Sequence, residues 1–293
     1  MIDVEVARTF LAIVETGTFQ GAANKVNVTQ STVSARVKTL EERLGQRMFA
    51  RSKSGAQLTS HGFHFERYAR AIVRAWEQGK QQVGIPETFE DMLIIGGQYN
   101  LWARFLTQWL ISMQDEMPGV AFRAEAGTPE ALSRLLSEGL LDIAVLHQPR
   151  LRTDISVEHL MDDELLLVTT DPNGKFEDRY TYIDWGEEYR DCHAQLLPHL
   201  MEPRTSVSLG FFGPSYLIAS NAAGYVPRRL VEPHLAGGYL HRTTAPSIDY
   251  PVFVAYQSEG ATRAQADAIT LLRKKAELCA AGNLPAPFWS EAE

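Results

Sequence analysis

The sequence is poor in cysteine, with Cys192 and Cys279 as the two examples among 293 residues. They lie far apart, and no histidine or cysteine stands at a spacing typical of a metal site or a redox pair. This scarcity excludes a disulfide scaffold, and we interpret both side chains as reduced thiols, with a redox switch as the alternative. We expect no metal and no cofactor.

Long apolar runs are missing as well, since no stretch approaches the roughly 18 residues that a membrane-spanning helix needs. The first ten residues, MIDVEVARTF, carry acids where a secretory signal has basic residues and an apolar core. We therefore expect a cytoplasmic protein without a membrane partner. Its 45% hydrophobic and 22% charged residues are typical of a folded chain long enough for more than one domain.

Common catalytic motifs are also absent. The stretch GGQYN, at residues 96–100, lacks the glycine and lysine pattern of a phosphate-binding loop, and G-x-S-x-G does not occur. The sequence therefore favours a protein that is not an enzyme.

The net charge of −8 is distributed unevenly. Residues 1–84 contain 12 Lys+Arg against 7 Asp+Glu, and the remaining residues contain 16 against 29. A basic segment followed by an acidic one suggests a small module that binds a polyanion, attached to a larger module that does not.

Three short helices are predicted in the basic segment. The first covers residues 4–16 and ends at Gly17, and Thr18 and Thr29 are candidate N-caps for the second and third. The third helix follows a tight turn within VNVTQSTVSARVKTLEERLG, residues 26–45. Four apolar residues of this helix lie within a narrow arc and are predicted to be its buried stripe: Val33, Val37, Leu40 and Leu44.

The opposite face of the third helix carries small polar and basic residues. These are Ser31, Ala35 and Lys38, with Thr32, Ser34 and Thr39 beside them and Gln30 and Arg36 at the edges. Acidic residues appear only at Glu41 and Glu42, so the first two turns suit a DNA major groove. The alternative is an ordinary surface helix with a solvated polar face.

A hairpin and a long helix are predicted next. Residues 47–58, RMFARSKSGAQL, suggest a two-stranded wing whose Arg51 and Lys53 could contact phosphates. The helix that follows, capped by Thr59 or Ser60, extends to about Val83, with apolar residues on one face: Phe65, Ala69, Ile72, Trp76 and Val83. Such a helix favours dimerisation, with packing inside its own chain as the alternative.

From Met92 onward the pattern alternates strand and helix. MLIIGG, VAFRAEA and LLDIAVL are strand signals, a helix is predicted from Trp102 to Met113, and another begins at Thr128 and Pro129. Strand, helix, strand, helix, strand implies a parallel sheet. A further strand, ELLLVTT, opens a second and less regular α/β unit, and a terminal helix is predicted over residues 261–280.

These residues resemble the LysR-type transcriptional regulators. The resemblance is carried by FLAIVETGTFQGAANKVNVTQSTVSARVKTLEERLGQRMFARSKSGAQLTSHG, by PGV before the second strand of the later module, by GLLDIAVL and by the proline of YVPRRLV. It implies an α/β chain with an amino-terminal winged helix-turn-helix, a linker helix and a two-lobed effector domain of the periplasmic-binding-protein type.

The family also implies an assembly and partners. Double-stranded DNA at promoters is the expected target, the linker helix pairs antiparallel in a homodimer, two dimers form a homotetramer, and RNA polymerase is a candidate partner. The implied boundaries are 1–58 for the DNA-binding domain, 59–84 for the linker helix, 85–91 for a hinge linker and 92–293 for the effector domain. Lobe I covers about 92–161 and 261–293, and lobe II about 162–260.

The resemblance assigns DNA contacts residue by residue. Gln30, Ser31 and Ser34 match positions that reach base edges, and Arg51 matches the wing arginine. Many members carry arginine directly after the serine that matches Ser34, whereas this chain has Ala35. The complete predicted set is Thr29, Gln30, Ser31, Thr32, Ser34, Arg36, Lys38, Arg51 and Lys53.

An effector site between the lobes is implied in the same way. The matching positions are Tyr99, Asn100, Thr128, His147, Gln148, Phe211 and Phe212. Helix amino termini at strand carboxyl ends favour an anionic small molecule, although Trp102 and the other aromatics would give an aromatic cleft. For each of these residues the alternative is capping or core packing, and for His147 a structural role at a strand end.

Two other interpretations stay open at this stage. A ligand-independent architectural DNA-binding protein would use the lobes only for assembly, and a polar, capped cleft argues against it. A solute-binding protein would explain the lobes but not the winged module.

Overall fold

A computed structural model describes residues 3–52, 55–84, 88–149, 155–208, 210–257 and 261–281. The contacts divide the chain into two compact units. One runs up to Met92 and includes Arg134–Leu141, and the other contains Leu93–Ser133 and the chain from Asp142 onward. The finer boundaries at residues 58, 84 and 91 stay predictions, and residues 85–87 of the hinge linker lie outside the described ranges.

Three capped helices open the first unit. They are α1 (Val4–Thr16), α2 (Phe19–Lys25) and α3 (Gln30–Leu44). Gly17 ends α1 in the left-handed region, and the hydroxyls of Thr18 and Thr29 accept hydrogen bonds from the backbone N–H groups of Gly21 and Thr32. The predicted caps are therefore the observed ones.

The buried stripe of α3 is one residue shorter than predicted. Val33, Val37 and Leu40 are at most 5% exposed and belong to one core with Phe10 and the rest of α1. Leu44 is 39% exposed, because it lies in the last turn, where Gly45 ends the helix.

The predicted wing and long helix follow. The wing consists of β1 (Phe49–Ser52) and β2 (Gly55–Leu58), which pair antiparallel. The wing is hydrogen-bonded to the turn between α1 and α2, because Ala56 N–H donates to the carbonyl of Gly17 over 2.8 Å. The long helix, α4, covers Ser60–Val83.

Lobe I of the second unit is a five-stranded sheet with helices. Its elements are β3 (Asp91–Gln98), α5 (Tyr99–Leu101), a π-turn (Trp102–Leu106), α6 (Thr107–Glu116), β4 (Val120–Gly127), α7 (Pro129–Ser137), β5 (Ile143–Leu146) and β6 (Ile155–Met161). The strand order is β4-β3-β5-β13-β6, where β13 is Val252–Gln257, and α11 (Arg263–Ala280) closes the lobe.

The lobe I sheet is mixed, which corrects the parallel sheet expected from the sequence. β3 and β5 are parallel as predicted, but β13 runs antiparallel to both β5 and β6. The boundary at residue 260 assigned β13 to lobe II, yet its pairing places it in lobe I. The chain therefore returns from lobe II to the lobe I sheet just before Val252. There β13 runs in the direction opposite to β5.

The predicted helix from Trp102 to Met113 is interrupted. Ala103 has ψ 117° and Arg104 has φ 69°, so the helical path breaks before α6 begins. Arg104 donates from Nη1 to the backbone carbonyl of Arg229 over 3.0 Å. This contact joins residues 125 positions apart, and a local pattern cannot indicate it.

Lobe II contains the remaining elements. They are β7 (Glu164–Thr169), β8 (Thr181–Ile183), α8 (Glu187–Leu196), β9 (Thr205–Val207), α9 (Gly213–Ser220), β10 (Ala223–Pro227), α10 (Arg228–Ala236), β11 (His241–Arg242) and β12 (Ile248–Asp249). β7 pairs antiparallel with β10, β11 and β12, and β8 pairs parallel with β9. The prediction of a second α/β unit is confirmed.

Two chain segments cross between the lobes, and they are hydrogen-bonded to each other. Asp163 lies between β6 and β7, and Tyr250 and Pro251 lie between β12 and β13. The N–H of Tyr250 donates to the carbonyl of Asp163 over 2.8 Å.

His147, directly after β5, contacts the second of these segments, at Tyr250 and Pro251. Its Nδ1 lies 3.1 Å from the carbonyl oxygens of both Tyr250 and Pro251, and its ring stacks on Tyr250 with centroids 3.5 Å apart. The side chain is 3% exposed. Burial, helped by the positive charge of Arg229, holds the pKa of His147 well below 6.5.

This burial predicts a pH dependence of stability. As the pH falls below 6.5, the unfolded chain takes up a proton at His147 and the folded chain does not, so stability is lost as the pH falls. Between about pH 7.5 and pH 5.5 the wild type should lose about 1 kcal/mol more unfolding free energy than His147→Gln. Urea unfolding at both pH values measures the difference, and replacing the exposed His61 by Gln should leave the wild-type dependence. If the unfolding free energy of His147→Gln depended on pH as strongly as that of the wild type, His147 would not be the source of the pH dependence.

Candidate DNA-binding face and interlobe pocket

The amino-terminal end of α3 presents a cluster of hydroxyl groups. The Oγ1 of Thr29 lies 2.8 Å from the hydroxyls of both Ser31 and Thr32. Thr29, Gln30 and Ser31 are exposed, and Ser34 is half-buried. The first turns of α3 therefore offer short hydrogen-bonding side chains that are partly ordered by one another.

Lys38 and Arg36 occupy different environments on α3. The Lys38 side chain is 77% exposed, with its ammonium 3.7 Å from Glu42. The Arg36 guanidinium donates to the Thr9 hydroxyl over 2.9 Å and lies 3.5 Å from the Glu5 carboxylate, and its side chain is 23% exposed. Arg36 thus lies at the edge of the polar face, as the sequence predicts, and there it binds α1.

The wing residues are described only in part. The backbone of Arg51 lies in β1, opposite Ala56 of β2. The side chain of Arg51 and the whole of Lys53 lie outside the described part of the chain. The predicted phosphate contacts of the wing stay predictions.

Helix α4 packs on the core of the first unit with part of its apolar face, and the same face is exposed farther along the helix. Ala69 and Val73 are buried in the core of the first unit, with Phe65 and Ile72 packed against it. An ion pair between Arg8 and the nearly buried Glu77 fixes α4 to α1. Other large apolar side chains are exposed: Phe63 by 69%, Tyr68 by 53%, Trp76 by 52% and Val83 by 89%.

A pocket of about 330 Å³ lies between the lobes. Five of the residues expected from the sequence line it: Tyr99, Asn100, Thr128, His147 and Gln148. They stand at the carboxyl ends of β3 and β5 and at the start of α7, where the Thr128 hydroxyl accepts from Ala131 N–H over 3.3 Å. Thr128 therefore caps its helix as well as lining the pocket.

The two phenylalanines expected at the pocket have different outcomes. Phe212 is 57% exposed and absent from its walls, and the side chain of Phe211 lies outside the described residues. Trp102 donates to the carbonyl of Gly97 over 3.1 Å and packs against the lobe I core.

Lobe II contributes wall residues that the sequence reasoning did not identify. Those with polar or aromatic side chains are Asp184, Trp185, Glu187, Arg190, Ser208 and Tyr250, facing Gln98 and Glu130 of lobe I. The segment from Asp184 to Glu187 follows β8 and opens α8, as Thr128 follows β4 and opens α7. That strand-then-helix pattern was the available signal for Asp184, whereas Tyr250 reaches the pocket only because the chain crosses between the lobes there.

The tautomer of His147 fixes the orientation of Asn100. Two carbonyl oxygens face Nδ1, so Nδ1 carries the proton of the neutral ring and Nε2 is an acceptor. The Asn100 amide nitrogen therefore donates to Nε2 over 3.1 Å. Its amide oxygen is buried, with no hydrogen-bond partner among the described residues.

A buried ion pair stands behind Asn100. Arg229, on α10, donates from Nε to the Asp163 carboxylate over 2.8 Å and from Nη1 to the Asn100 carbonyl over 2.6 Å. Both charged side chains are at most 7% exposed. Burial raises the pKa of Asp163, and the positive charge of Arg229 opposes that shift.

Comparison with known proteins gives two family matches. Residues 5–63 match the model of the bacterial regulatory helix-turn-helix proteins of the LysR family, and residues 87–173 match the LysR substrate-binding domain. The transcriptional regulators named HdfR from Salmonella typhimurium and Salmonella newport are 26% identical to this chain over 230 residues. These alignments cover 77% of this chain and 82% of each relative.

Solved structures share the fold. A full-length OxyR variant from Pseudomonas aeruginosa has a TM-score of 0.57 at 20% identity, covering 95% of this chain and 98% of that one. ArgP from Mycobacterium tuberculosis has a TM-score of 0.57 at 21% identity, with 94% and 98% covered. LysG from Corynebacterium glutamicum, with its effector Arg bound, has a TM-score of 0.58 at 20% identity, with 94% and 98% covered.

These matches cover the helix-turn-helix, the lobes and the order in which they occur. The curated relatives are transcriptional regulators, which agrees with the interpretation that the chain is not an enzyme. None of the described helices is long and apolar enough to cross a membrane. The chain belongs to the LysR family and is a DNA-binding transcriptional regulator.

Proposed function

We propose that this regulator reads promoter DNA with the amino-terminal half of α3 and that a small molecule in the interlobe pocket controls it. The observation that carries the DNA contact is the exposed surface of α3, where hydroxyl, amide and ammonium groups stand without an acid until Glu41. Short donors and acceptors fit base edges in the major groove, and carboxylates would be repelled by the phosphates.

The proposed contacts have two roles. Gln30, Ser31 and Ser34 contact base edges, with Thr29 and Thr32 ordering the hydroxyl cluster. Lys38, Arg51 and Lys53 contact phosphates, which supply affinity and salt dependence more than sequence preference. Arg36 acts indirectly in this proposal, because its bond to Thr9 sets the position of α3 on α1.

Dimerisation through α4 completes the DNA-binding unit. The exposed Trp76 and Val83 lie seven residues apart on one face of a long helix, and burying such apolar surface contributes about 25 cal/mol per Å². A helix of the partner subunit is the proposed cover, and two such dimers form the tetramer. At the promoter, in the cytoplasm, RNA polymerase is the proposed further partner.

The pocket offers a physical route from ligand to DNA. Its walls come from both lobes. The carbonyl of its wall residue Asn100 accepts a hydrogen bond from Arg229, and the ring of its wall residue Tyr250 stacks on His147. A ligand there would have different affinity for different angles between the lobes, which is the requirement for shifting a conformational equilibrium. The proposed outcome is altered spacing of the DNA-binding dimers.

The direct test is a gel shift and footprint on the intergenic DNA upstream of the protein's own gene, at two salt concentrations. The proposal expects a protected region long enough for two dimers and binding that weakens steeply with salt. Weak binding without a preferred site would favour the architectural alternative instead.

Gln30→Ala should reduce specific binding. Loss of a side-chain contact to a base edge costs about 1 to 3 kcal/mol and relaxes the preference at one base pair. Titration of specific and scrambled DNA in gel shifts measures this, and affinity for the scrambled DNA should stay unchanged. The matched control is Gln195→Ala, an exposed glutamine on α8. Equal loss on both DNAs would remove Gln30 from base recognition.

Arg36→Ala should lower stability without changing the salt dependence of DNA binding, and Lys38→Ala should change the salt dependence without lowering stability. Arg36→Ala should lower the unfolding free energy by about 1 to 2 kcal/mol through the lost bond to Thr9 and leave the salt slope of DNA binding unchanged. Lys38→Ala should leave stability unchanged and reduce the magnitude of that slope by about 0.9 for each Lys38 side chain that contacts a phosphate. Urea unfolding and DNA titrations over a salt series give both quantities. A reduced slope in Arg36→Ala with unchanged stability would place Arg36 on DNA.

Trp76→Glu should weaken the dimer. A carboxylate in place of a large aromatic side chain removes about 2 kcal/mol or more of apolar burial and adds a charge to the interface. Sedimentation equilibrium should therefore show a dissociation constant raised at least about thirtyfold. Tyr239→Glu, at a lobe II side chain that is 61% exposed, is the control. An unchanged constant for Trp76→Glu would mean that another surface forms the dimer.

A further inference from the structure

We propose that the interlobe pocket takes an organic cation, a ligand with a primary ammonium group on an aliphatic chain. This inference rests on the proposed function, because it names the chemical class of the effector. It departs from the anionic ligand that the sequence suggested.

Carboxylates dominate the ionised groups on the pocket walls. The wall residues include Glu130 of lobe I and Asp184 and Glu187 of lobe II, and Arg190 is the single guanidinium among the described wall residues. Arg190 lies 3.4 Å from the Asp184 carboxylate, so its charge is already partly neutralised. His147 adds no positive charge, because its buried ring stays neutral. The walls therefore attract a cation and repel a dicarboxylate.

The helix amino termini at the pocket do not reverse this preference. α7 and α8 both begin at the walls, and free N–H groups in a first helical turn attract anions. Each helix supplies its own carboxylate in that turn, Glu130 in α7 and Glu187 in α8. These acids offset the partial positive charge of the helix ends.

Two buried side-chain atoms of wall residues have no partner among the described residues, the donor Gln148 Nε2 and the acceptor Asn100 Oδ1. Asn100 offers the acceptor that an ammonium group requires. Its side chain is 2% exposed, and it lines the pocket. The neutral tautomer of His147 engages its amide nitrogen, which leaves its amide oxygen as a buried acceptor without a partner among the described residues. A buried acceptor without a partner costs free energy, and an N–H group of a ligand would satisfy it.

Aromatic rings complete the walls. Trp185 and Tyr250 are buried, and Tyr99 is 51% exposed, with all three lining the pocket. Ring faces attract ammonium groups, and their apolar surfaces bind the methylene chain that carries such a group. A volume of about 330 Å³ lies within the range of small-molecule sites.

The test uses three probes with the same five-carbon chain and different charge. Isothermal titration calorimetry on the full chain compares 1,5-diaminopentane, 1,5-pentanediol and glutarate at millimolar concentration. The diamine should bind at least about tenfold more tightly than the other two, and its affinity should fall as salt is added.

Variants locate the binding. Asp184→Asn combined with Glu187→Gln should weaken diamine binding by about tenfold or more, since each lost carboxylate removes a charge-assisted hydrogen bond. Asparagine at 184 keeps an oxygen that can accept from Gly186 N–H, a bond of 3.0 Å, so the start of α8 is retained. Glu188→Gln is the matched control, because Glu188 is exposed in the same turn but is not a wall residue.

Three outcomes would overturn the inference. These are absence of diamine binding, equal or tighter binding of glutarate or the diol, and diamine affinity that the double variant leaves unchanged. A footprint with the same preparation separates this failure from that of the proposed function. A chain that protects promoter DNA but binds no diamine refutes only the ligand class, and a chain without specific DNA binding refutes the proposed function.

Discussion

The buried ion pair between Arg229 and Asp163 is the constraint on which the second unit depends. Removing two charges from water costs several kcal/mol, and the structure offsets this cost with further hydrogen bonds. Arg229 also donates to the Asn100 carbonyl and accepts at its own carbonyl from Arg104. Asp163 accepts from the N–H of Tyr250 at its carbonyl. The Arg229–Asp163 pair and its hydrogen bonds thus connect both segments that cross between the lobes to residues of lobe I beside the pocket.

Ion pairs have a comparable role in the first unit, where they set the positions of helices. Arg8 pairs with Glu77 to hold α4 on α1, and Arg36 bonds to Thr9 to hold α3 on α1. α1 therefore supports both α3, the proposed DNA-reading helix, and α4, the proposed dimerisation helix. In the proposed dimer, a change at α4 would reach α3 through α1 alone.

Local chemistry accounts for what could be predicted from the sequence. The caps at Thr29 and Thr128, the strand pairing of the wing and the end of α1 at Gly17 depend on neighbours within a few residues, and these were predicted correctly. The kink at Arg104, the bond from Arg36 to α1 and the place of β13 depend on contacts between distant parts of the chain. The same distinction explains which pocket residues could be predicted. The lobe I residues follow strand signals in the sequence, whereas Asp184 and Tyr250 reach the pocket through the tertiary fold.

In the proposed mechanism, Asn100 connects the charge of the ligand with the angle between the lobes. Asn100 lines the pocket, and its backbone carbonyl accepts from Arg229, the partner of Asp163 at the first crossing. Asp184, across the pocket, belongs to lobe II. A cation that bonds to both residues stabilises the arrangement in which they are closest, and a bias from 1:99 to 99:1 needs about 5.5 kcal/mol of differential affinity. Two or three charge-assisted hydrogen bonds, at about 1.5 to 3 kcal/mol each, are of that size.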